Sequence, residues 1–426
     1  MWTNWSGGQR CRPVATARPL DDAGVAGVIR RAAQRGQTVR PVGSGHGFSD
    51  LAVTDGVHLD ASAFSGITGV SAAPAGAGAT VRVRGGTSIG ELQESLAERG
   101  LALPVPLDLG APTLGGALAV GAHGSASTRG SIADQVIALR LVDGRGEVRD
   151  VPRADLDAAR TALGALGVVL DAELAVVPAA PLTVTRARRP LDEVLDPGFW
   201  EAHDLAEAAL FPSSSTALAR WAGTAATDGE EAERGVGVTS AGATGRTALG
   251  GAVVVERALP RLAPSLNKVV PRLARTVSAT GPGHRVLSDP PPVRYEQSEW
   301  AVPRERLVAS LRALLPQLAD GLETGLPVRM RVGPAERGWL HPAHGRATGW
   351  VAVRVPRGTD PGPVFARTAA VMRAHGGRPH WGTRHDFDAV DVAAAYPRFA
   401  DFVRVRDDYD PDRVFANPAL TRLLGD

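Results

Sequence analysis

The sequence predicts an α+β protein of two domains, on three observations. Its 426 residues are more than one hydrophobic core usually serves. Up to about Pro178, strand and helix signals alternate. From about Ala180 the chain turns rich in Ala, Gly and Thr, and strand signals return at Arg294–Val302 and Pro327–Val332 with a helix between them.

The elements follow in order. From Leu20 to Gly36 the spacing is helical, with Val25, Val28, Ile29 and Ala32 on one face, Asp21 as N-cap and Gly36 as the stop. Thr38–Val42 is a strand, and Val57–Asp60 and Thr80–Arg84 alternate as strands do. Thr87 is placed to cap a helix from Ile89 to Arg99 that Gly100 ends. Val136–Val142 and Val168–Val177 are further strands. Thr224–Leu249 reads as long loops, and a helix from about Arg304 to Leu318 precedes the strand at 327–332.

Composition removes several function classes. The 47 basic and 45 acidic residues leave a formal net charge of +2, which gives no case for nucleic acid. Cys11 is the sole cysteine, so an internal disulfide and a thiolate metal cluster are both excluded. His341 with His344, and His380 with His385, lack cysteines or clustered acids nearby, and no metal is expected. No apolar run reaches membrane-spanning length, and Met1–Ser6 lacks a signal core; a cytoplasmic location is expected. The oligomeric state stays open.

Chemistry concentrates in two glycine-rich stretches. In Arg40-Pro-Val-Gly-Ser-Gly-His-Gly-Phe-Ser-Asp50 a strand ends in three glycines interleaved with Ser44 and His46. Such a turn exposes successive N–H groups and makes an anion nest suited to a pyrophosphate. It is not the Rossmann fingerprint: the third glycine would fall on Phe48, and loop and strand follow instead of a helix. The second stretch is Thr113-Leu-Gly-Gly-Ala-Leu-Ala-Val-Gly-Ala-His-Gly-Ser125, read either as a cofactor loop or as a small-residue packing surface.

Gly43–Asp50 followed by Val53-Thr-Asp-Gly56 resembles the flavin-attachment loop of the vanillyl-alcohol oxidase superfamily, closest to its sugar branch of alditol and sugar-1,4-lactone oxidases. The likeness continues through Tyr295…Glu299-Trp-Ala-Val-Pro303, Val328-x-x-Arg331, Trp339-Leu-x-Pro342, Gly377-Arg-Pro-His-Trp-Gly382 and Asp410-Pro…Phe415-x-Asn417. It implies the FAD-binding PCMH-type fold. Residues 1–178 would bind FAD, 179–371 would form a mixed-sheet substrate (cap) domain, and 372–426 would return to the FAD domain. It implies covalent attachment of the flavin through His46; the alternative is a histidine that only hydrogen-bonds the phosphate loop. A second, cysteinyl link has only Cys11 to draw on.

The resemblance assigns cofactor contacts to Pro41, Val42, Gly43, Ser44, Gly45, His46, Gly47 and Ser49 on the first loop. On the second it assigns Gly110, Thr113, Gly116, Gly121, His123, Gly124 and Ser125, with Val169, His380 and Asn417 beyond. His123 is equally readable as structural packing. Carried over residue by residue, the substrate contacts fall on Thr113, Arg331, Arg329 and Thr383. Two of these depart from the family: an acid has become Arg329, and a lysine has become Thr383. Strand alternation puts Arg329 and Arg331 on one face, so a cleft with two guanidiniums, suited to an anionic substrate, is expected unless Arg329 points away. His284 is placed near the cleft.

The expected reaction is oxidation of a CH–OH group by hydride transfer to flavin N5, with O2 as acceptor and H2O2 as product. The small-molecule substrate is an alditol or aldonolactone. Two alternatives stay open: a specialised-metabolite oxidase with an acidic or non-sugar substrate, and a flavin-binding protein without turnover.

Overall fold

The computed structural model describes residues 1–72, 78–225, 263–291, 293–320 and 326–426. The loop reading of Thr224–Leu249 therefore lies, from 226 onward, outside the described residues. No helix among the described residues is long and apolar enough to cross a membrane.

The strands, in chain order, are β1 (Trp2–Thr3), β2 (Arg10–Cys11), β3 (Ala15–Ala17), β4 (Val39–Val42), β5 (Val57–Asp60), β6 (Ile67–Ala72) and β7 (Ala79–Arg84). Then come β8 (Leu101–Ala102), β9 (Val136–Val142), β10 (Val148–Asp150), β11 (Val168–Pro178), β12 (Pro181–Pro190) and β13 (Leu205–Leu210). The last are β14 (Thr216–Thr224), β15 (Val277–Pro282), β16 (Tyr295–Pro303), β17 (Val328–Gly333), β18 (Thr348–Pro356) and β19 (Arg378–Pro379).

Near the N-terminus, β1 and β2 form a short hairpin, and β3, β5 and β4 form a small parallel sheet. A larger sheet runs β10-β9-β11-β7-β6, with β8 on the end of β11. The helix Asp22–Gln34 begins where expected: the Asp21 carboxylate accepts from Gly24 N–H at 2.7 Å. The helix Ile89–Ala97 is capped by Ser88, whose hydroxyl accepts from Glu91 N–H, and not by Thr87. Thr87 Oγ1 instead accepts from Gly66 N–H at 2.8 Å, tying the loop before β6 to the helix start.

The remaining strands make one eight-stranded sheet, β15-β12-β14-β13-β17-β18-β16-β19. It is antiparallel at every described pairing, not mixed, because each neighbouring pair in space reverses direction. Its two faces differ sharply. Ala206, Ala208, Met330, Val332, Val351, Val353, Trp300 and Val302 point into the core beside Leu311 and Leu314 of the helix Leu307–Ala319. The alternate positions carry Glu207, Arg220, Arg329, Arg331, Trp350, Gln297 and Glu299. An amphipathic sheet with charges on one face needs a polar or liganded cleft over them.

The C-terminal segment first adds β19 to this sheet and then crosses back. Val39 N–H donates to Val414 O at 2.7 Å, and Arg40, 3% exposed, donates from Nη1 to Phe415 O at 2.8 Å and from Nη2 to Leu163 O at 3.0 Å. Asp410 accepts from Val414 and Phe415 N–H, and Arg422 pairs with Asp50.

Candidate active site

A cleft of about 320 Å3 lies between the glycine loops and the charged face of the eight-stranded sheet. The run Pro41–Gly47 and Ser49 line one end. Gly45 has φ +69°, and a Cβ there would sit 3.2 Å from the Trp2 indole, so conformation and space both require glycine. The N-terminal hairpin lies across this loop. Trp5 N–H donates to Gly45 O at 2.8 Å, Asn4 Nδ2 to Gly47 O at 2.8 Å and Gln9 Nε2 to Phe48 O at 3.1 Å. The Trp5 ring stacks on His46, with centroids 5.4 Å apart and 20° between planes. Burial lowers the His46 pKa and keeps the imidazole neutral at pH 7. Cys11 is not at this loop's cleft; its sulfur lies 3.7 Å from His58 Nε2.

The first half of the second glycine stretch is a helix, Leu114–Val120, which presents Gly115, Gly116 and Ala119 to the cleft. Thr113 lines the cleft too, but its hydroxyl accepts from Gly116 N–H at 3.3 Å as the helix N-cap. A Cβ on Gly43 would collide with that hydroxyl, so Thr113 sits at the junction of the two loops, committed to holding them together. Val169 lines the same wall, and Leu139, Leu141, Ala162 and Leu166 give the cleft an apolar end.

Five expected contacts do not line the cleft. Gly110 packs on Gly90, whose N–H donates to its carbonyl at 2.8 Å. Gly121 ends the helix at φ +68° against His341, and Gly124 packs on Val105. Ser125 Oγ donates to Ala206 O and accepts from Val332 N–H, joining the loop to the sheet. Asn417 caps the helix Pro418–Leu424 and donates to Val53 O and Leu51 O, holding the first loop from behind. His284 is also elsewhere, 3.2 Å from Glu94 on the outer side of the sheet edge.

At the other end, register sets the geometry. Ala352 on β18 lies opposite both Arg329 on β17 and Glu299 on β16, and in the next row Trp350 lies opposite Arg331 and Ala301. Arg329 and Glu299 are thus two strand spacings apart, roughly 10 Å, over a floor made by one methyl group. Both arginines do face inward.

They are not unpaired, however, and this corrects the expectation of an anion-seeking cleft. Arg329 Nη2 reaches Asp108 at 2.7 Å and Glu207 at 2.6 Å; Arg331 reaches Asp108 from Nη2 at 2.6 Å and Glu207 from Nε at 3.1 Å. Arg220 takes the other Glu207 oxygen at 2.9 Å. Burial alone would raise both acids' pKa values, but the guanidiniums hold Glu207 well below the usual carboxylate range and Asp108 at about 2. Three guanidiniums therefore face Asp108, Glu207 and, one row away, Glu299, and the charges cancel.

Glu299 is the residue that the sequence left without a role. Its Oε1 lies 3.6 Å from His123 Nε2, and Gln297 Nε2 donates to its other oxygen at 3.1 Å. Burial pushes its pKa up, but His123, His380 and Arg331 outweigh this and keep it below the ordinary range. His123 donates from Nδ1 to Gly124 O at 2.8 Å and stacks on Trp350 at 3.7 Å. His380 is lowered to about 4 by burial, partly countered by Glu299, and so is neutral. Thr383, expected to touch substrate, has its hydroxyl committed to the backbone. It donates to His380 O at 2.9 Å and accepts from Glu299 N–H at 3.0 Å, while His380 N–H donates to Glu299 O at 2.8 Å. It is a clip that sets Glu299.

The donor set suits a flavin dinucleotide: an apolar end for one ring system, glycine backbone for the phosphates, small residues along a flat wall for the second ring, and charged groups beyond it. Comparison with known proteins agrees. The profile of the D-arabinono-1,4-lactone oxidase family matches residues 172–423, and that of an FAD binding domain matches 13–152. An L-gulono-1,4-lactone dehydrogenase of Mycobacterium tuberculosis (strain CDC 1551 / Oshkosh) is 33% identical, covering 100% of this chain and 99% of that protein. An alditol oxidase of Streptomyces sp. is 30% identical over 99% of this chain and 98% of its own length. Among solved structures, a solvent-stable cholesterol oxidase superposes with TM-score 0.80 at 20% identity, covering 100% of this chain and 97% of that one, which speaks to the fold alone. The chain belongs to the D-arabinono-1,4-lactone oxidase family, FAD-dependent oxidoreductases that oxidise CH–OH groups.

Proposed function

We propose that the chain oxidises a CH–OH group of a sugar-1,4-lactone or alditol, with dioxygen as acceptor and hydrogen peroxide as product. The observation that carries this is the single cleft onto which the glycine loops, Arg331 and the Glu299–His123 pair all open. Bound there, FAD supplies a hydride acceptor at its N5. Residues 1–178, together with the returning tail within 372–426, would hold it, through Pro41–Gly47, Ser49, Gly116 and Val169, with a covalent bond from His46. Residues 179–371 would supply the substrate pocket.

The substrate's carbinol oxygen would lie against Arg331, a donor that Asp108 and Glu207 hold in place. His123 takes the hydroxyl proton. Its Nδ1–H is spent on Gly124 O, so Nε2 is the nitrogen that exchanges the proton, and the ionised Glu299 3.6 Å away stabilises the imidazolium form. A neutral polyhydroxy substrate suits a cleft whose charges already balance. The test is anaerobic mixing of the yellow protein with L-gulono-1,4-lactone and with xylitol, followed by air. Bleaching of the visible flavin band by either substrate, and its return in air with peroxide, is expected. A band unchanged by every lactone and polyol tried would overturn the reading.

A further inference from the structure

We infer that the N-terminal hairpin is an orienting clamp for His46, with Trp5 the positioning residue that sets the imidazole plane for bonding to the flavin 8α-methyl. The inference rests on the covalent attachment proposed above. A histidine on a glycine loop has a side chain free to turn about two bonds, whereas forming a bond from a ring nitrogen needs its lone pair along one line. The Trp5 indole removes that freedom by lying nearly parallel to the imidazole, in an offset stack.

The indole is itself fixed. Phe48 stands edge-on to it at 6.2 Å and Tyr295 at 5.4 Å, and Phe48 and Tyr295 stack on each other at 5.5 Å. Tyr295 opens β16, so the substrate sheet braces the clamp from one side. From the other, the backbone and side-chain bonds of Trp5, Asn4 and Gln9 to Gly45, Gly47 and Phe48 hold the hairpin to the very loop that carries His46. Arg357 lies over Gly7, where a Cβ would meet its guanidinium at 2.9 Å. Nothing in this arrangement is needed for a loop that only cradles phosphate.

In the attachment, one C–H bond of the 8α-methyl and the imidazole N–H are exchanged for one C–N bond. The two electrons and two protons released pass through the ring to dioxygen, which leaves as hydrogen peroxide. A neutral His46 is the competent form, and burial keeps it so.

The experiment uses the full chain prepared flavin-free from riboflavin-starved cells and mixed with excess FAD in air, with acid-precipitable flavin followed over time. Trp5→Leu keeps apolar bulk without a ring, and Trp5→Phe keeps a flat ring. Attachment should slow about tenfold or more in Trp5→Leu and stay within about threefold of wild type in Trp5→Phe, with non-covalent FAD uptake by ultrafiltration unchanged in both. Should Trp5→Leu be insoluble, Asn4→Ser, which removes the amide bond to Gly47 O, should slow attachment in its place. A covalent wild type with Trp5→Leu or Asn4→Ser at the wild-type rate overturns the clamp alone, as does Trp5→Phe slowed as much as Trp5→Leu. A wild type that never becomes covalent overturns the attachment as well.

Discussion

Neutralising Glu207 tests the reading of the substrate pocket most directly. Its carboxylate is shared by Arg220, Arg329 and Arg331 at 2.6 to 3.1 Å, in a site where the side chains are 10–14% exposed. Glu207→Gln keeps the volume but leaves three guanidiniums facing Asp108 and Glu299. Removing one partner from a buried charge pair costs about 2–5 kcal/mol. If that cost falls on Arg331's placement, kcat/KM for a neutral lactone should drop roughly thirtyfold to a few thousandfold, since about 1.4 kcal/mol is tenfold. The surplus positive charge should at the same time favour anions, so the ring-opened aldonate should inhibit competitively about tenfold more tightly than it inhibits the wild type. Mild acid does not imitate the substitution, because the guanidiniums hold the Glu207 pKa well below the usual carboxylate range. The assay is anaerobic stopped-flow reduction of the flavin with lactone, with and without aldonate. Wild-type reduction rates together with unchanged aldonate inhibition would refute the claim that Glu207 balances the cleft.

Two further outcomes follow from buried groups away from the pocket. Burial beside Asp134 raises the Glu336 pKa to about 7 against the Ser131 N–H bond at 2.6 Å, from an ordinary value of 4.5. The folded state thus keeps a proton there that the unfolded state has released, and this contribution to stability is full below about 4.5 and lost as pH rises through about 7. Glu336→Gln should therefore match wild type in thermal melts near pH 4.5 and exceed it above pH 7, by on the order of 3 kcal/mol; equal curves at every pH would dismiss the shift. Asn417→Ala removes an N-cap and orphans the carbonyl of Val53, while Leu51 O keeps its bond from Arg40 Nε, and should lower stability by about 1–3 kcal/mol. Urea unfolding followed by flavin fluorescence checks this, and an unmoved midpoint would show that the tail does not brace the first loop.

What was legible in the sequence was local. The His46 loop, the helix Asp22–Gln34 and the alternation that turns Arg329 and Arg331 to one face depend on spacings of a few residues. Partners were not legible, because they come from strand order. Asp108 and Glu207 meet the arginines across more than 120 positions, and nothing in Leu205-Ala-Glu-Ala-Ala-Leu210 tells which strand will lie beside it. Strands β12 to β14 went unread for a different reason. Alanine, arginine and threonine fill them, weak strand formers or polar residues that only the finished sheet makes sense of. Thr113 and Thr383 show the converse case: the first kept a hydroxyl from its relatives and the second has one in place of a lysine, and both spend it on backbone. Trp5 carried no signal, since a tryptophan near a terminus resembles any exposed aromatic until the loop it covers is known.

The bond from Arg40 to Phe415 joins residues 375 apart in the chain. During synthesis at about 5–20 residues per second, Arg40 must wait roughly 20 to 75 s before its acceptor exists. Through that interval the guanidinium has only its acceptors at Leu51, Leu163 and Gly164, and the edge of β4 that Val414 will cover has no partner, so the first half emerges as an unfinished layer. It is then a client for whatever holds nascent chains apart. Slowing the ribosome over 179–371 would lengthen that exposure without altering a single native contact. Yield in cells should accordingly respond to chaperone supply and codon choice in the middle of the gene more strongly than to changes of the finished protein's melting point.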